Sequence, residues 1–229
     1  MSAGENYQRI AAHVAQAARE NGRDPSEVRL IAVSKTVGVP EVADAFACGA
    51  RDFGENRPEC LVEKATANPA ATWHFIGNIQ SRKIRDIVSH ASLIHSLFTK
   101  RHAEKIDEAA CSLGKVQDVL VEVNVSGEES KGGCTPQEAK ELVAFCCGLE
   151  NVRVRGLMTM APQGDEDEIV RTFKGLKELQ VEIKSQLEAA DAACFDELSM
   201  GMSEDWPEAV AQGATMVRVG RAIFSDSFE

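Results

Sequence analysis

Short apolar, β-branched segments recur along the chain and alternate with stretches whose apolar residues fall at helical spacing, the pattern of successive βα units. Eight segments read as strands, at 30–35, 52–55, 73–76, 93–96, 119–125, 155–158, 197–200 and 216–223. Between them the spacing predicts helices over 40–48, 59–67, 79–88, 100–113, 136–147, 167–190 and 204–212, and an amphipathic helix over 7–20 precedes the first strand. Eight alternations fit an α/β fold of the closed (β/α)8 TIM barrel type better than a doubly wound open sheet, which yields a similar string with fewer strands. A length of 229 residues suits one such domain over 1–229. The acidic run at 165–168 fits a loop leading into the first turn of a long helix, where negative charge is favoured.

Composition narrows the function more than the fold. With 44% hydrophobic and 27% charged residues, disorder of the whole chain is excluded. Lys and Arg number 25 against 36 Asp and Glu, a formal charge of −11, which offers no field for a nucleic acid backbone. A small anion is still within reach, since a few backbone amides and one or two basic side chains suffice locally. The first residues lack the apolar core of a signal peptide, and no uninterrupted apolar run has membrane-spanning length. The expectation is a soluble, cytoplasmic protein that meets no membrane. Seven cysteines with no C-x-x-C pair, two of them adjacent at Cys146 and Cys147, read as reduced and mostly buried thiols. The histidines at 13, 74, 90, 95 and 102 show no H-E-x-x-H spacing, and no metal is assigned.

In a parallel barrel, ligands are held where the strands end. Alternation in the first strand puts Ile31, Val33 and Lys35 on one face, so Lys35 is expected to extend the barrel-filling column at its upper end. An amine desolvated near other cations forms Schiff bases with aldehydes; a lysine that reaches solvent or pairs with a carboxylate is the other reading of the position. In the last strand, Arg218 shares a face with Met216 and Gly220. The loops after strands seven and eight form the usual phosphate site of such barrels, so an anion is expected between Ser199 and the amides around Gly201, Gly220 and Arg221. Ser203 reads as the N-cap of the next helix, with Glu204 and Asp205 in its first turn. The run from Gly127 to Gly133 lacks the G-K-[ST] ending of a P-loop, and Gly201-Met202-Ser203 lacks the second glycine of a G-x-S-x-G elbow.

Six ordered motifs then resemble the pyridoxal 5′-phosphate homeostasis proteins, single-domain relatives of the barrel domain of alanine racemase. They are Ala32-Val33-Ser34-Lys35-Thr36; Phe53-Gly54-Glu55-Asn56-Arg57; Trp73-His74-Phe75-Ile76-Gly77 with Gln80 and Lys83; Asn124-Val125-Ser126-Gly127-Glu128-Glu129-Ser130-Lys131; Gly156-Leu157-Met158-Thr159-Met160; and Ser199-Met200-Gly201-Met202-Ser203 with Asp205, followed by Arg218-Val219-Gly220. The resemblance implies a fold-type III barrel that binds pyridoxal 5′-phosphate, with Lys35 carrying it as an internal aldimine. It also implies Arg218 facing the pyridine nitrogen, phosphate held by Ser199 and the Gly220 and Arg221 amides, Asn56 and His74 near the ring, and Met158 and Gly201 in the same site. The chain departs from the family's pattern at Arg57-Pro58-Glu59-Cys60, at Phe98-Thr99 and at Ser225. Val37 stands where some relatives have a second basic residue, which leaves Lys131 as the candidate second amine.

The implied function is a carrier in vitamin B6 homeostasis that delivers the cofactor to apo-enzymes; an amino-acid racemase is the alternative. A two-base racemase needs a proton-transferring group opposite the lysine, and the only tyrosine, Tyr7, lies in the leading helix. A guanidinium at the pyridine nitrogen also weakens the ring as an electron sink, which favours holding over turnover. No catalytic residue is therefore assigned, and with no long apolar stripe a monomer is the default.

Overall fold

The computed structural model describes residues 1–128 and 131–225; Glu129 and Ser130 of the fourth motif lie outside the described residues. The strands are β1 (Arg29–Val33), β2 (Asp52–Glu55), β3 (Thr72–Phe75), β4 (Leu93–Leu97), β5 (Gln117–Glu122), β6 (Val152–Met158), β7 (Glu197–Ser199) and β8 (Met216–Val219). They close in chain order into one parallel barrel, β8 pairing back onto β1 with Arg218 beside Ile31. The helices are α1 (Ala3–Glu20), α2 (Val39–Ala47), α3 (Pro58–Ala67), α4 (Ile84–His90), α5 (Lys100–Ser112), α6 (Pro136–Cys147), α7 (Glu166–Lys184), α8 (Ala189–Ala192), α9 (Trp206–Ala211) and α10 (Arg221–Phe224).

Local signals set several helix starts. Ser2 and Glu5 form a reciprocal capping box at α1, and Thr135 and Glu138 form another at α6, whose first turn opens on Pro136. The Asp165 carboxylate accepts from the Asp167 and Glu168 amides and caps α7. The strands divide their side chains between two cores. Leu30 and Ala32 of β1 join Phe53 and Phe75 in the layer beneath the helices, whereas Ile31 and Val33 pack inside the barrel with Leu93, Leu120, Met158 and Met216. Each such fully buried side chain contributes roughly 1.5–3 kcal/mol. The barrel is therefore a filled core, and ligand chemistry is confined to its ends.

The structure corrects several expected boundaries. β1 stops at Val33, because the Ser34 carbonyl turns to accept from the Val37 amide at 3.1 Å, and Lys35 sits in that turn instead of on the strand. β8 stops at Val219: Gly220 leaves the extended region, and the apolar Ala222-Ile223-Phe224 run forms the turn α10, with the Phe224 amide on the Gly220 carbonyl at 2.9 Å. The helix expected over 167–190 ends at Lys184, where the Ser185 hydroxyl bonds back to the Glu182 carbonyl, and α8 follows separately. The helix expected over 79–88 begins as a 3-10 turn, Ser81–Lys83, before α4. Asp205 occupies the N-cap position of α9, and Ser203 is left to the loop.

Candidate functional site

The C-terminal ends of β1 and β2 are tied by a buried ion pair. Lys64 from α3 pairs with Glu55 at the end of β2, and both side chains are almost wholly buried. The Lys64 ammonium also donates to the Ser34 carbonyl at 2.7 Å, and the Ser34 hydroxyl donates to Glu55 at 2.7 Å. The residue before Lys35 is thus held by its carbonyl and its hydroxyl at once. Lys35 itself is exposed, in the turn that follows β1. The desolvated setting expected for it is not what the chain alone provides.

Beside the mouth, Asn56 follows Glu55, and its Oδ1 is buried without a hydrogen-bond partner. Gly77 lets the two segments meet: a Cβ on it would lie 2.0 Å from the Asn56 carbonyl oxygen. Met158 forms part of the interior apolar cluster beneath.

Arg218 projects from β8 into the interior and is 5% exposed. Its Nη1 donates to Ser199 Oγ at 2.6 Å and its Nη2 to the Thr159 carbonyl at 2.9 Å. Burial pushes the guanidinium down to about 10, against the opposing pull of the Asp205 and Glu122 carboxylates, so it keeps its charge at neutral pH. Ser199 Oγ also lies 2.9 Å from His95 Nδ1, His95 Nε2 lies 2.9 Å from His74 Nδ1, and His74 Nε2 lies 3.0 Å from Asp52 Oδ1. Burial, followed by the neighbouring His74 and Arg218, holds His95 well below the usual histidine value. Glu122, at the end of β5, is raised by burial and lowered by Arg218.

The loops after β7 and β8 meet at the same face. Gly201 has φ +90°, and a Cβ there would lie 2.6 Å from Ala209 Cβ, so only glycine lets the loop turn against α9. Asp205 closes this loop by accepting from the Met202 amide. The hydroxyl standing at the Gly220 amide is that of Ser203, at 3.3 Å. The side chain of Arg221 points outward to Glu204 at 2.9 Å. On the far side of the mouth a cleft of about 520 Å³ opens between Lys131, Gly132, Met160, Ala161 and Met202. Lys131 donates to the Ala161 carbonyl and lies 3.6 Å from Glu128.

Of the residues expected from sequence, Lys35, Asn56, Gly201, Arg218, Gly220 and Arg221 come together at or just inside this one end of the barrel, with Met158 as floor. Ser199 and His74 lie deeper. The Ser199 hydroxyl is taken up by Arg218 and His95, and both ring nitrogens of His74 are engaged inside the barrel. Sequence reasoning assigned no role to His95, Thr159, Glu122 or the Glu55 and Lys64 pair, and took Ser203 for a cap. A signal for His95 was present, since it alternates with the interior Leu93 on β4. Among the described residues no group of three or more His, Cys, Asp or Glu is placed to hold a metal. No helix of the described residues is long and apolar enough to cross a membrane.

The eight-stranded barrel thus carries a lysine just past β1, an arginine on β8 and a glycine just after it. The sequence model described as "Alanine racemase, N-terminal domain" matches residues 6–227. A "Pyridoxal phosphate homeostasis protein" of Aquifex aeolicus is 38% identical over 229 residues, covering 99% of this chain and 99% of its own. Another of that description, from Pseudomonas aeruginosa, is 40% identical over 223 residues, covering 96% and 94%. The structure of PipY from Synechococcus elongatus with PLP bound superposes with a TM-score of 0.80 at 35% identity, covering 93% of this chain and 100% of that one. The chain belongs to the alanine racemase N-terminal domain family and, within it, to the pyridoxal phosphate homeostasis proteins.

Proposed function

We propose that the protein binds pyridoxal 5′-phosphate at the C-terminal mouth of its barrel, anchored on the Lys35 amine, and holds it for intracellular vitamin B6 supply. The observation that carries this reading is the meeting, at one end of the barrel, of four unlike groups suited to one molecule. These are a free-standing amine at Lys35, an unpartnered Asn56 Oδ1, a fixed cation at Arg218, and the Ser203 hydroxyl beside the Gly220 amide. When bound, the cofactor supplies an aldehyde that condenses with an amine and a phosphate dianion that anchors it.

The chain's own residues do the rest. The turn set by Glu55 and Lys64 aims Lys35, and Arg218 presents N–H groups to a pyridine nitrogen without surrendering a proton. Ser203 with the Gly220 and Arg221 amides suits the phosphate, which moves that part from Ser199 to the serine four residues on. Support for holding over turnover comes from Tyr7, the only tyrosine, which packs from α1 into the layer beneath the helices. The reading is completed by a cytoplasmic monomer that gives its cofactor to apo-enzymes.

The test is a visible spectrum before and after borohydride, with mass spectrometry of the Lys35 peptide. A yellow band lost on reduction and a pyridoxyl mass on Lys35 are expected, and both should vanish in Lys35→Ala while the circular dichroism stays native. A protein that remains unlabelled after incubation with pyridoxal phosphate overturns the cofactor; racemisation of L-alanine by the loaded protein overturns the carrier.

A further inference from the structure

The polar chain across the barrel interior has a direction, and the hydrogen bonds at its Arg218 end force it. Arg218 has only donors, so the Ser199 oxygen accepts from Nη1 at 2.6 Å. The remaining polar neighbour of that hydroxyl is His95 Nδ1 at 2.9 Å. If Nδ1 carried a proton, two donors would face the serine oxygen and the buried hydroxyl proton would have no acceptor. Nδ1 of His95 is therefore the acceptor, and its neutral ring carries the proton on Nε2, which faces His74 Nδ1 at 2.9 Å. His74 in turn carries its proton on Nε2, facing Asp52 Oδ1 at 3.0 Å.

The other end agrees, for a carboxylate only accepts and His74 Nε2 therefore donates to Asp52. Every hydrogen in the series is used once, and all point from the cation at Arg218 toward the anion at Asp52. A cationic ring at either histidine breaks the series at the serine.

We propose that His95, its tautomer fixed by His74 and Asp52, is a positioning residue for Arg218: by taking the Ser199 proton it turns the serine oxygen to the guanidinium. With Nη1 held by Ser199 and Nη2 by the Thr159 carbonyl, the guanidinium plane is set and the N–H groups left over are those that face the ring. The inference rests on the pyridoxal phosphate reading of the mouth. It assigns His74 a part too, as the group that orients His95 instead of one that touches the ring.

Nitrogen-15 NMR of the full-length protein stripped of cofactor tests the series directly. At pH 7 both His74 and His95 are expected as neutral rings protonated on Nε2, and an Nδ1–H tautomer or an imidazolium at either site overturns the assignment. Titration with pyridoxal phosphate tests the role. In His95→Asn the carboxamide oxygen replaces Nδ1 as acceptor, and affinity and absorption band are expected to stay close to those of the wild type. His95→Leu should weaken binding about tenfold and shift the band. Ser199→Ala, which removes the same link without adding bulk, should do likewise. Wild-type affinity and band in both of these variants, or a His95→Asn variant as impaired as His95→Leu, overturns the positioning role. Failure of the wild type to label at Lys35 strikes the cofactor reading alone, because the tautomer measurement is made without cofactor.

Discussion

Ser199 and Ser203 stand four residues apart in one loop motif and do different work. The first gives its oxygen to a buried guanidinium; the second stands at a backbone amide on the mouth. Ser203→Ala is therefore expected to weaken pyridoxal phosphate binding about tenfold or more, the loss of a hydrogen bond to a charged group. Arg221→Ala, which removes a side chain turned out to Glu204, should leave affinity nearly unchanged. A fluorescence titration of both variants checks this, and a reversed order of effects counts against the assignment. His95 carries a second consequence at this scale. Its imidazole is held below the ordinary value of about 6.5 by burial, with His74, Arg218 and Arg29 acting in the same direction. As pH falls through that value the unfolded chain takes up a proton that the native chain refuses. Native stability should then decline by up to about 1.4 kcal/mol per pH unit from this group, down to the native value. Urea midpoints at pH 7, 6 and 5 should diverge between wild type and His95→Asn, with the wild type falling faster; parallel curves would contradict the shift. Arg218 was legible in sequence because alternation along β8 places it, whereas Lys35 and Gly220, read from the same alternation, lie just past their strands. The place of His95 on β4 could be read but its role could not, because that role lies in a hydroxyl 104 residues away.

At the scale of the element, Lys64 on α3 shows how a βα unit can serve its neighbour. It comes from the helix after β2, yet its ammonium holds the carbonyl that ends β1. An ion pair this buried contributes little over an apolar pair of equal volume, whereas removal of one partner strands the other. Lys64→Met is expected to cost about 3–5 kcal/mol, and the double change Glu55→Leu with Lys64→Met distinctly less. Equilibrium unfolding of the three proteins decides it, an additive double mutant being the contrary result. The double variant should still lose label at Lys35, since the turn is no longer clamped. The elements themselves were well marked by apolar spacing. Their ends were not, because turns with their own hydrogen bonds decide them: the Ser34 carbonyl accepts from the Val37 amide and from Lys64, and after Gly220 the apolar run continues but winds into a helical turn that buries Ile223.

For the molecule as a whole, eight alternations sufficed to state a closed barrel, because no other arrangement gives so many parallel strands a partner on both sides. The negative charge of −11 marks the surface and leaves the interior its few fixed cations. The opposite end of the barrel carries ion pairs, Arg29 with Glu197 and Arg155 with Asp118 at 3.1 Å, around a small cavity of about 110 Å³. Closure also ties the two ends of the chain together, for Asn6 on α1 donates to the Ile223 carbonyl on α10 at 3.2 Å.

The pairing of β8 with β1 has a consequence in time. Lys35 follows the first strand and Arg218 sits on the last, so the two halves of the site are among the most distant residues in the chain. Contacts of such separation close late, after local units have formed and the entropy of the long loop has been overcome. On the ribosome the order is stricter still, since β8 is made after the other seven strands. A nascent chain can thus carry seven strands and its amine without yet having a place for a cofactor, and the ability to bind becomes a sign that the eighth strand has been made and has closed onto the first.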